Sequence, residues 1–229
     1  MARLSIIMPV LDEGERIAGA LDALAELRGL GVEVIVVDGG SHDATVQRAR
    51  LRTDHVLSAP PGRALQMNAG AAKASGDVLL FLHADTALPR EAERLVLDGL
   101  ARSGREWGRF DVTIEGRHPM LPLVAVMMNL RSRITGIATG DQAIFVKRDV
   151  FHAAGGFPDI PLMEDIALSK KLKRLSRPLC LRACAVTSGR RWETHGVFRT
   201  ILLMWRLRIA YFFGADPAAL ARRYRYGGG

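Results

Sequence analysis

The stretch VEVIVVDGGS, residues 32–41, decides the fold. Its first six residues are almost all apolar and β-branched, and runs of this kind are typical of strands covered on both faces of a parallel sheet. Asp38 and two glycines end the run, at the edge where open parallel sheets bind their ligands. Leu4–Val10 has the same apolar character, and residues 15–28 between the two runs carry isoleucine and leucine at helical spacing. The three segments predict a βαβ unit.

The alternation of strand and helix continues along the chain and changes after Gly104. The further segments are helices at 42–52, 63–74 and 89–102, strands at 55–58, 77–82, 109–115 and 142–147, and a methionine-rich segment at 120–134. Repeated strand and helix alternation followed by a mixed region predicts the α/β class. We expect a mostly parallel open sheet with helices on both faces and a mixed α+β second half.

Length and composition predict one main domain with a C-terminal appendage. The chain has 229 residues, of which 48% are hydrophobic, and this is enough for a sizeable core. Residues 190–229 carry eight arginines against two acidic residues, so much of the net charge of +8 lies there. We therefore predict a main domain at 1–196 and a basic, apolar, helical appendage at 197–229.

The appendage leaves several partners open. Its apolar part, 197–213, contains three arginines and so lacks the roughly 20 uncharged residues of a spanning helix. An interfacial or packed helix is expected there, and the shorter apolar segment 120–130 favours a core or interface helix. The arginines suit a membrane surface or a phosphorylated substrate, or else form a solvated basic face. No nucleic-acid-binding module appears, and the two apolar segments equally suit pairing in a homodimer.

Cysteine positions and the N-terminus predict an intracellular protein. Cys180 and Cys184 lie four residues apart in a predicted strand, a separation of roughly 13 Å that is too long for a disulfide. Both are expected to be reduced core residues. The first residues become strand-like within a few positions and show no signal-peptide pattern. We expect a cytoplasmic location, with peripheral contact at the inner face of the membrane left open.

Polar side chains follow the first two predicted strands. Residues 9–14, PVLDEG, bring backbone N–H groups and short acidic side chains to the sheet edge, where a nucleotide can bind. Asp12 fits a helix N-cap equally well. Asp38 can accept hydrogen bonds from a base or a ribose hydroxyl, and Gly40 lets a ligand approach the backbone. A tight turn with Ser41 as a helix cap is the alternative.

The next helix and strand end add a cation and candidate metal ligands. Arg63 opens the predicted helix, and a helix N-terminus with a guanidinium favours a diphosphate, although a surface position is equally consistent. Gly70 inside that helix is costly unless something packs close to it. The apolar run 77–82 ends in His83-Ala84-Asp85, whose imidazole and carboxylate suit Mn²⁺ or Mg²⁺ at a diphosphate. Asp85 is the stronger candidate of the two ligands.

Three further candidate residues lie in the second half of the chain. Glu164 and Asp165 open a predicted helix directly after the turn at 155–161, and a carboxylate at the position of Asp165 can act as a base. His195 lies before the C-terminal helix, from where it can fold over the site as a further metal ligand.

Taken in order, these motifs resemble the family-2 glycosyltransferases of GT-A fold. The resemblance covers residues 3 to about 195, and its motifs are PVLDE at 9–13, DGGSHDAT at 38–45, the helix at 63–70, GDVLLFLHADT at 76–86, and GGF at 155–157 leading to Glu164 and Asp165. It implies a compact single-domain enzyme that moves one sugar from a nucleotide-diphosphate donor to an acceptor hydroxyl with inversion. UDP is the implied nucleotide, with GDP next.

The resemblance also implies a role for each matching residue. Asp165 is implied as the general base, and Glu164 as a residue that orients the acceptor or its neighbours. Asp85 is implied to bind Mn²⁺ or Mg²⁺ at the diphosphate, with His195 as a further ligand. The residues implied to surround the donor nucleotide are Pro9, Glu13, Asp38, Gly40, Arg63, Asn68, His83 and Ala84. The basic, aliphatic C-terminus suggests an acceptor that is lipid-linked or otherwise close to a membrane.

The sequence departs from the family pattern at several positions. His83-Ala84-Asp85 stands where Asp-x-Asp is usual, Gly39 replaces a second aspartate, and Asp12 replaces a common asparagine. Metal affinity and nucleoside contacts are therefore left open. Arg191-Trp192 resembles the end of the Gln-x-x-Arg-Trp motif of processive synthases, but Ser188 stands at the glutamine position, so processive polymer synthesis is not expected.

Two other classes of function compete with sugar transfer. A dinucleotide-binding oxidoreductase is disfavoured because no Gly-x-Gly-x-x-Gly follows the first strand. A non-catalytic module that binds a nucleotide sugar or docks on a membrane is the alternative, and His83 at a metal-ligand position keeps it open.

Overall fold

The computed structural model of the protein describes residues 2–53 and 55–226. In this part of the chain the strands are β1 (Leu4–Val10), β2 (Glu33–Asp38), β3 (His55–Ser58), β4 (Val78–Phe81), β5 (Thr86–Ala87), β6 (Trp107–Glu115), β7 (Phe145–Lys147) and β8 (Leu179–Ser188). They form one sheet in the order β3-β2-β1-β4-β7-β6-β8-β5. The first four of these neighbours are parallel. The other half is mixed, because β7 is antiparallel to β4 and β6 whereas β8 is parallel to β6.

Helices cover both faces of the sheet. They are α1 (Ile17–Asp22), α2 (Ala25–Gly29), α3 (Thr45–Arg50), α4 (Arg63–Lys73), α5 (Ala92–Ser103), α6 (Leu121–Thr135), α7 (Arg148–Ala153), α8 (Glu164–Leu175), α9 (Arg190–His195), α10 (Val197–Phe212) and α11 (Pro217–Tyr226), with a 3₁₀ turn at Gly140–Gln142. Side chains alternate along each strand. Ile6 therefore joins the core under α1 and α5, whereas Ile7 joins the core under α4 and α8.

The predicted α/β fold with a parallel first half is confirmed, but several element boundaries differ. The helix predicted at 15–28 is broken into α1 and α2 at Leu24, whose N–H bonds Leu21 three residues back. Leu21, Leu24 and Leu27 are three residues apart and all buried, a spacing that a tightened turn satisfies better than a continuous α-helix. The strand predicted at 142–147 shortens to β7 because the chain first makes the 3₁₀ turn.

Gly70 and the cysteines give two further outcomes. A Cβ at Gly70 would lie 2.5 Å from Ile7 Cγ2 and 3.0 Å from Val37 Cγ2, so α4 approaches β1 and β2 too closely for any side chain there. The expected close packing at Gly70 is confirmed. Cys180 and Cys184 lie in β8 as free thiols, but both are half-buried, so their placement in the core was wrong.

The C-terminal helices pack against the main body. Val197 of α10 joins a hydrophobic cluster with α6, and Leu207 joins a second cluster with Met163 and Ile166 at the start of α8. The division into 1–196 and 197–229 stays a prediction. None of the helices in the described part of the chain has the length and apolar content needed to cross a membrane.

Candidate active site

The loops that follow β1 and β2 are joined to each other by side-chain hydrogen bonds. His42 N–H donates to Asp12 Oδ1 at 2.8 Å, Asp12 N–H donates to Ser41 Oγ at 2.9 Å, and Glu13 N–H donates to Thr45 Oγ1 at 2.8 Å. Asp12 has φ +52°, a left-handed conformation that aspartate tolerates. Asp12 and Ser41 are therefore loop connectors, and the alternative roles as helix caps were wrong because α1 and α3 begin several residues later.

Asp38 holds the turn on which its own loop is built. Its carboxylate accepts hydrogen bonds from Gly40 N–H at 3.0 Å and from the N–H and hydroxyl of Ser41. Gly40 has φ +96°, is exposed, and has open space where a Cβ would lie. A ligand can therefore approach the backbone of this turn at Gly40. The contact of Asp38 with a nucleoside stays a prediction.

Gln66 is a site residue that the sequence analysis missed. It is buried on α4, and its Nε2 donates to the carbonyls of Val10 and Val37 at 2.8 Å each. These bonds fix the ends of β1 and β2 relative to each other. The available signal was a glutamine next to the apolar positions 67, 70 and 71 of a helix that begins at the ligand-binding edge of the sheet.

Pro9 and Glu13 complete the loop after β1. Pro9 pairs with Val37 in β2. The pairing of β1 with β4 ends at Ile7, so the missing N–H of Pro9 costs no hydrogen bond to β4. The Glu13 carboxylate forms an ion pair with Arg16 at 2.7 Å. Both residues lie at the predicted sheet edge, and their nucleotide contacts stay predictions.

The side chain of Arg63, at the start of α4, is exposed to solvent although many protein atoms surround it. Burial lowers the pKa of Arg63, but Glu164, Tyr224 and the aspartates Asp141 and Asp165 outweigh it and raise that pKa above the ordinary value. The guanidinium is thus firmly charged and faces the acidic residues at the start of α8. Arg63 is exposed, as the surface alternative expects, and its contact with a diphosphate stays a prediction.

Asn68 serves the loop before α8. Its Nδ2 donates to the Phe157 carbonyl at 2.8 Å, and its Oδ1 accepts from the Phe157 N–H at 3.0 Å. Since both ends of the amide are used, Asn68 holds the loop that leads to Glu164. Its predicted contact with the nucleotide stays a prediction.

His83 lies between the end of β4 and the 3₁₀ turn. Its Nδ1 is 3.7 Å from Asp141 Oδ1, close enough for a charge interaction but longer than a hydrogen bond. Its ring packs against Gly140, where a Cβ would collide with it. Burial favours a raised pKa for Asp141, but His83, Arg63 and Arg208 outweigh it and lower that pKa below its ordinary value. Asp141 was missed by the sequence analysis, although it follows a glycine directly before an apolar strand.

Asp165 has a fixed orientation at the start of α8. Its Oδ2 accepts from Gly140 N–H at 3.0 Å, and its Oδ1 accepts from Ile166 N–H at 2.7 Å. Glu164 beside it is only 6% exposed. Burial first, and then the charge of Asp165, raise the pKa of Glu164, while Arg63 opposes the rise. The pair therefore consists of an oriented carboxylate and a buried acid that binds its proton unusually well.

A narrow cavity of about 20 Å³ joins several of the predicted site residues. It is lined by the polar residues Arg63, His83, Glu164 and Asp165, by Gly140, and by the apolar residues Met67, Phe81, Ile144 and Phe157. A larger cavity of about 510 Å³ lies elsewhere, at the C-terminal ends of α6 and α8, and contains none of the predicted site residues. The cations that line it include Arg133 and Lys173 in the last turns of α6 and α8, where positive charge interacts favourably with the helix dipole. The smaller cavity is therefore the candidate site.

Asp85 and His195 are not brought into a closed metal site. Asp85 is exposed after β4, and its Oδ1 accepts from the Thr86 hydroxyl at 3.3 Å. His195 is the half-buried last residue of α9. Within residues 2–53 and 55–226, no group of three His, Cys, Asp or Glu side chains is placed to hold a metal ion. Ala84 between the two strand-end residues is buried.

The C-terminal helices contribute side chains that the sequence analysis did not assign to the site. The Arg191 guanidinium lies 3.6 Å from the centroid of the Tyr224 ring. Burial raises the pKa of Tyr224, while Arg191 and Arg63 oppose the rise, so α11 reaches the cleft. The charge of Arg208 on α10 acts on Asp141 in the same cleft. The only advance signal was the concentration of arginine at this end of the chain.

Comparisons with known proteins identify the family of the chain and its fold. Residues 5–151 match the model of the family described as glycosyl transferase family 2. Glucosyl-3-phosphoglycerate synthase from Mycolicibacterium paratuberculosis is 31% identical over 96 residues, a match that covers 38% of this chain and 29% of that protein. The matched region is thus less than a third of the length of this curated relative.

Solved structures of GT-A glycosyltransferases confirm the fold. Glucosyl-3-phosphoglycerate synthase from Mycobacterium tuberculosis, in complex with Mg²⁺ and UDP, has a TM-score of 0.56 at 22% identity, covering 81% of this chain and 70% of that one. Mannosyltransferase PcManGT from Pyrobaculum calidifontis, in complex with GDP-Man and Mn²⁺, has a TM-score of 0.67 at 18% identity, covering 99% and 70%. With the family model matched across more than half of its length, the chain belongs to glycosyl transferase family 2.

Proposed function

We propose that the protein is an inverting glycosyltransferase that moves one sugar from a nucleotide-diphosphate donor to an acceptor hydroxyl, with Asp165 as the general base. The observation that carries the proposal is the orientation of Asp165. Gly140 N–H and Ile166 N–H hold its carboxylate at the wall of a cleft that also contains Arg63 and His83. UDP is the first donor nucleotide to test, with GDP second, since structural neighbours bind one or the other.

The reaction assigns a step to each side of the cleft. Asp165 takes the proton of the acceptor hydroxyl while its oxygen forms a bond to the anomeric carbon, a contribution worth about 10²–10⁴ in rate. The bond from that carbon to the diphosphate oxygen breaks on the opposite face, which inverts the configuration. Negative charge builds on the departing diphosphate, and the firmly cationic Arg63 is placed to stabilise it. Glu164 supports the acceptor side beside Asp165.

The donor nucleoside is assigned to the joined loops after β1 and β2. Glu13 and Asp38 supply carboxylates there, and Gly40 supplies an open backbone. The bonds of Gln66 to Val10 and Val37 fix this edge before a ligand arrives. A preformed edge reduces the ordering that binding would otherwise require.

The residues present fit a divalent cation that is held partly by the donor. Mg²⁺ typically uses one or two protein carboxylates together with substrate phosphates and water, so a full protein cage is not needed. Asp85 supplies an exposed carboxylate, and His195 is the second proposed ligand. Bound Mn²⁺ or Mg²⁺ would neutralise charge on the diphosphate. Since Asp85 supplies the carboxylate and His83 is engaged with Asp141, removal of Asp85 should abolish the metal-dependent part of donor binding.

Donor binding is tested by thermal stabilisation of the purified protein. UDP, GDP, CDP and dTDP are each added with Mn²⁺ and again with excess chelator, because a ligand that binds the folded state raises the midpoint by mass action. A shift with one nucleotide that requires metal supports the proposal and identifies the donor class. The matching nucleotide sugar is then used for turnover, and the anomeric configuration of the product is read by NMR. Retention of configuration, or the absence of any nucleotide shift, contradicts the proposal.

A non-catalytic nucleotide-sugar-binding module is the second candidate, and His83 favours it. A histidine at the usual position of a metal-binding aspartate, engaged with Asp141, weakens the case for metal-assisted departure of the diphosphate. Metal-dependent nucleotide binding without turnover in the wild type, across soluble and lipid-linked acceptors, would support this alternative.

We also propose that the protein contacts an anionic membrane through α10. The apolar side chains exposed on one stripe of α10 are Phe198 (69%), Leu202, Trp205 (60%), Ile209 and Phe212 (74%). Exposed cations flank them on α10 and α11, namely Arg206, Arg222 and Arg223. Apolar and aromatic side chains flanked by arginine are the pattern of an interfacial helix on anionic lipid.

Vesicle binding tests this surface. Co-sedimentation with phosphatidylserine vesicles is expected, with much weaker binding to neutral phosphatidylcholine vesicles and loss at high salt. Concentration-dependent dimerisation in solution without vesicle binding would assign the stripe to a second copy of the chain. If a substitution on this stripe of α10 removes both vesicle binding and transfer to a lipid acceptor, the acceptor is lipid-linked.

A further inference from the structure

Arg131 on α6 is a cation whose environment the proposed reaction leaves unexplained. Its Nε and Nη2 atoms are buried without a hydrogen-bond partner. None of the ion pairs among the described residues includes it. A buried N–H of a charged group is costly when it lacks an acceptor, and native proteins keep very few of them. A ligand that brings the acceptor atoms would account for its retention.

Two other arginines, Arg109 and Arg133, each form an ion pair with Asp111, which sets Arg131 apart. Arg109 is completely buried and bonds Asp111, Ser132 Oγ and the Asn129 carbonyl. Arg133 bonds the second oxygen of Asp111 at 2.5 Å. Asp111 is therefore engaged by these two neighbours, and no hydrogen bond joins it to the buried Nε and Nη2 of Arg131.

A second cation, Arg208, is brought to the same place by α10. Leu207 is buried in the cluster with Met163 and Ile166, the residues on either side of Glu164 and Asp165. Arg208 follows Leu207, is half-buried, and forms no ion pair within 4 Å with the residues that the structure describes. Burial lowers the pKa of Arg208, while Asp165 and Asp141 oppose the fall.

The two arginines repel each other, and the nearby carboxylates do not compensate them by direct contact. Burial first, and then the charge of Arg208, lower the pKa of Arg131 to about 10, which still leaves it charged at neutral pH. Asp165 accepts hydrogen bonds from Gly140 N–H and Ile166 N–H, and no hydrogen bond or ion pair joins it to either arginine among the described residues. Asp141 lies beside His83 instead. Two half-buried guanidinium groups that no carboxylate contacts directly are suited to bind an oxyanion.

We propose that Arg131 and Arg208 form the subsite for an oxyanion of the acceptor, a phosphate or a carboxylate group close to the attacking hydroxyl. The inference rests on the proposed function, because Asp165 is taken as the base that contacts that hydroxyl. Leu207, next to Arg208, packs against Met163 and Ile166, which flank Glu164 and Asp165, whereas Asp85 follows β4. The donor diphosphate is expected beside Asp85, so the pair belongs to the acceptor side. A planar guanidinium can bind phosphate or carboxylate through two parallel hydrogen bonds.

The test measures anion binding by the full chain at constant ionic strength. Inorganic phosphate and acetate are titrated separately, with the nucleotide and Mn²⁺ that stabilise the protein present at saturation, so that the donor site is blocked. Arg131→Gln and Arg208→Gln are expected to weaken binding of the preferred anion by about tenfold or more. The matched control is Arg102→Gln, which changes an exposed arginine on α5 and is expected to leave anion binding within about twofold, as for other surface changes. The stronger anion identifies phosphate or carboxylate as the acceptor group.

Nucleotide binding separates this inference from the proposed function. Both glutamine variants are expected to bind the nucleotide as the wild type does, and a loss of nucleotide binding would assign the pair to the donor and overturn the inference. If no nucleotide binds to the wild type, the proposed function fails, and the same anion titration without nucleotide still tests the arginine pair. An equal anion response in all three variants, or none in the wild type, overturns the subsite.

A measurement of the thermal midpoint distinguishes anion binding by Arg131 from a merely structural role. Because its buried N–H groups lack acceptors, Arg131→Met is expected to keep or raise the thermal midpoint in anion-free buffer while it loses the phosphate response. A large fall in the midpoint without anion would show that Arg131 holds the fold together, and it would overturn the inference.

Discussion

Replacing Asp165 with asparagine keeps the shape of the side chain and exchanges one oxygen for an NH₂ group. In the wild type both oxygens accept backbone hydrogen bonds, Oδ2 from Gly140 at 3.0 Å and Oδ1 from Ile166 at 2.7 Å. Whichever way the new amide turns, one backbone N–H faces an NH₂ group and loses its acceptor. An unsatisfied N–H costs about 1–3 kcal/mol. Each kcal/mol lowers the melting temperature of a chain of this size by roughly 2–4 °C.

The same substitution should reduce turnover far more than it reduces stability. An amide cannot accept the acceptor proton, so the rate should fall by about 10²–10⁴. Nucleotide binding should be retained, because Asp165 lies outside the loops assigned to the donor. The matched control is Asp149→Asn on α7, since Asp149 Oδ1 accepts from Val150 N–H at 2.8 Å but the residue is exposed and has no second such bond. That variant should change stability by no more than about 0.5 kcal/mol.

Three measurements on the same preparations decide the outcome. They are thermal unfolding, nucleotide titration with metal, and consumption of the nucleotide sugar identified by the binding screen. Turnover at the wild-type rate in Asp165→Asn would show that this residue only holds the turn at Gly140. An unchanged melting temperature would refute the hydrogen-bond reasoning instead, whatever happens to the rate.

Further predictions address titration, packing and the membrane. Since burial raises the pKa of Glu164, the folded chain binds this proton more tightly than the unfolded chain, and stability should fall as pH rises from 4.5 through the folded pKa. Glu164→Gln should flatten that part of the profile in urea unfolding, and an unchanged slope would contradict the assignment. Gly70→Ala should destabilise by about 1–3 kcal/mol in the same assay, because its methyl group would lie 2.5 Å from Ile7 Cγ2; a neutral effect would mean that α4 shifts freely. Trp205→Glu should abolish sedimentation with phosphatidylserine vesicles while nucleotide binding persists, and undiminished sedimentation would exclude α10 as the contact.

Local patterns predicted most of the sheet edge on which the candidate site is built. The apolar runs before Asp38 and before His83 indicated the strands, and the chain order of the motifs indicated the family. The predictions failed where two local preferences competed. The hydroxyl of Ser41 suits a helix cap, but it bonds the neighbouring loop at Asp12, and a single-sequence pattern contains no information on which neighbour is near.

The sequence by itself determined the α/β class, the family, and the placing of acids at strand and helix ends. The reason is that strand burial and helix periodicity depend on residues only a few positions apart. Tertiary structure alone decided that Gly140 orients Asp165, that Gln66 joins two strand ends, and that α10 packs against the start of α8 and brings Arg208 there. These contacts join segments that are distant along the chain. They depend on how α6 and α10 pack against the rest of the protein, and that packing is decided by the shape and burial of whole surfaces.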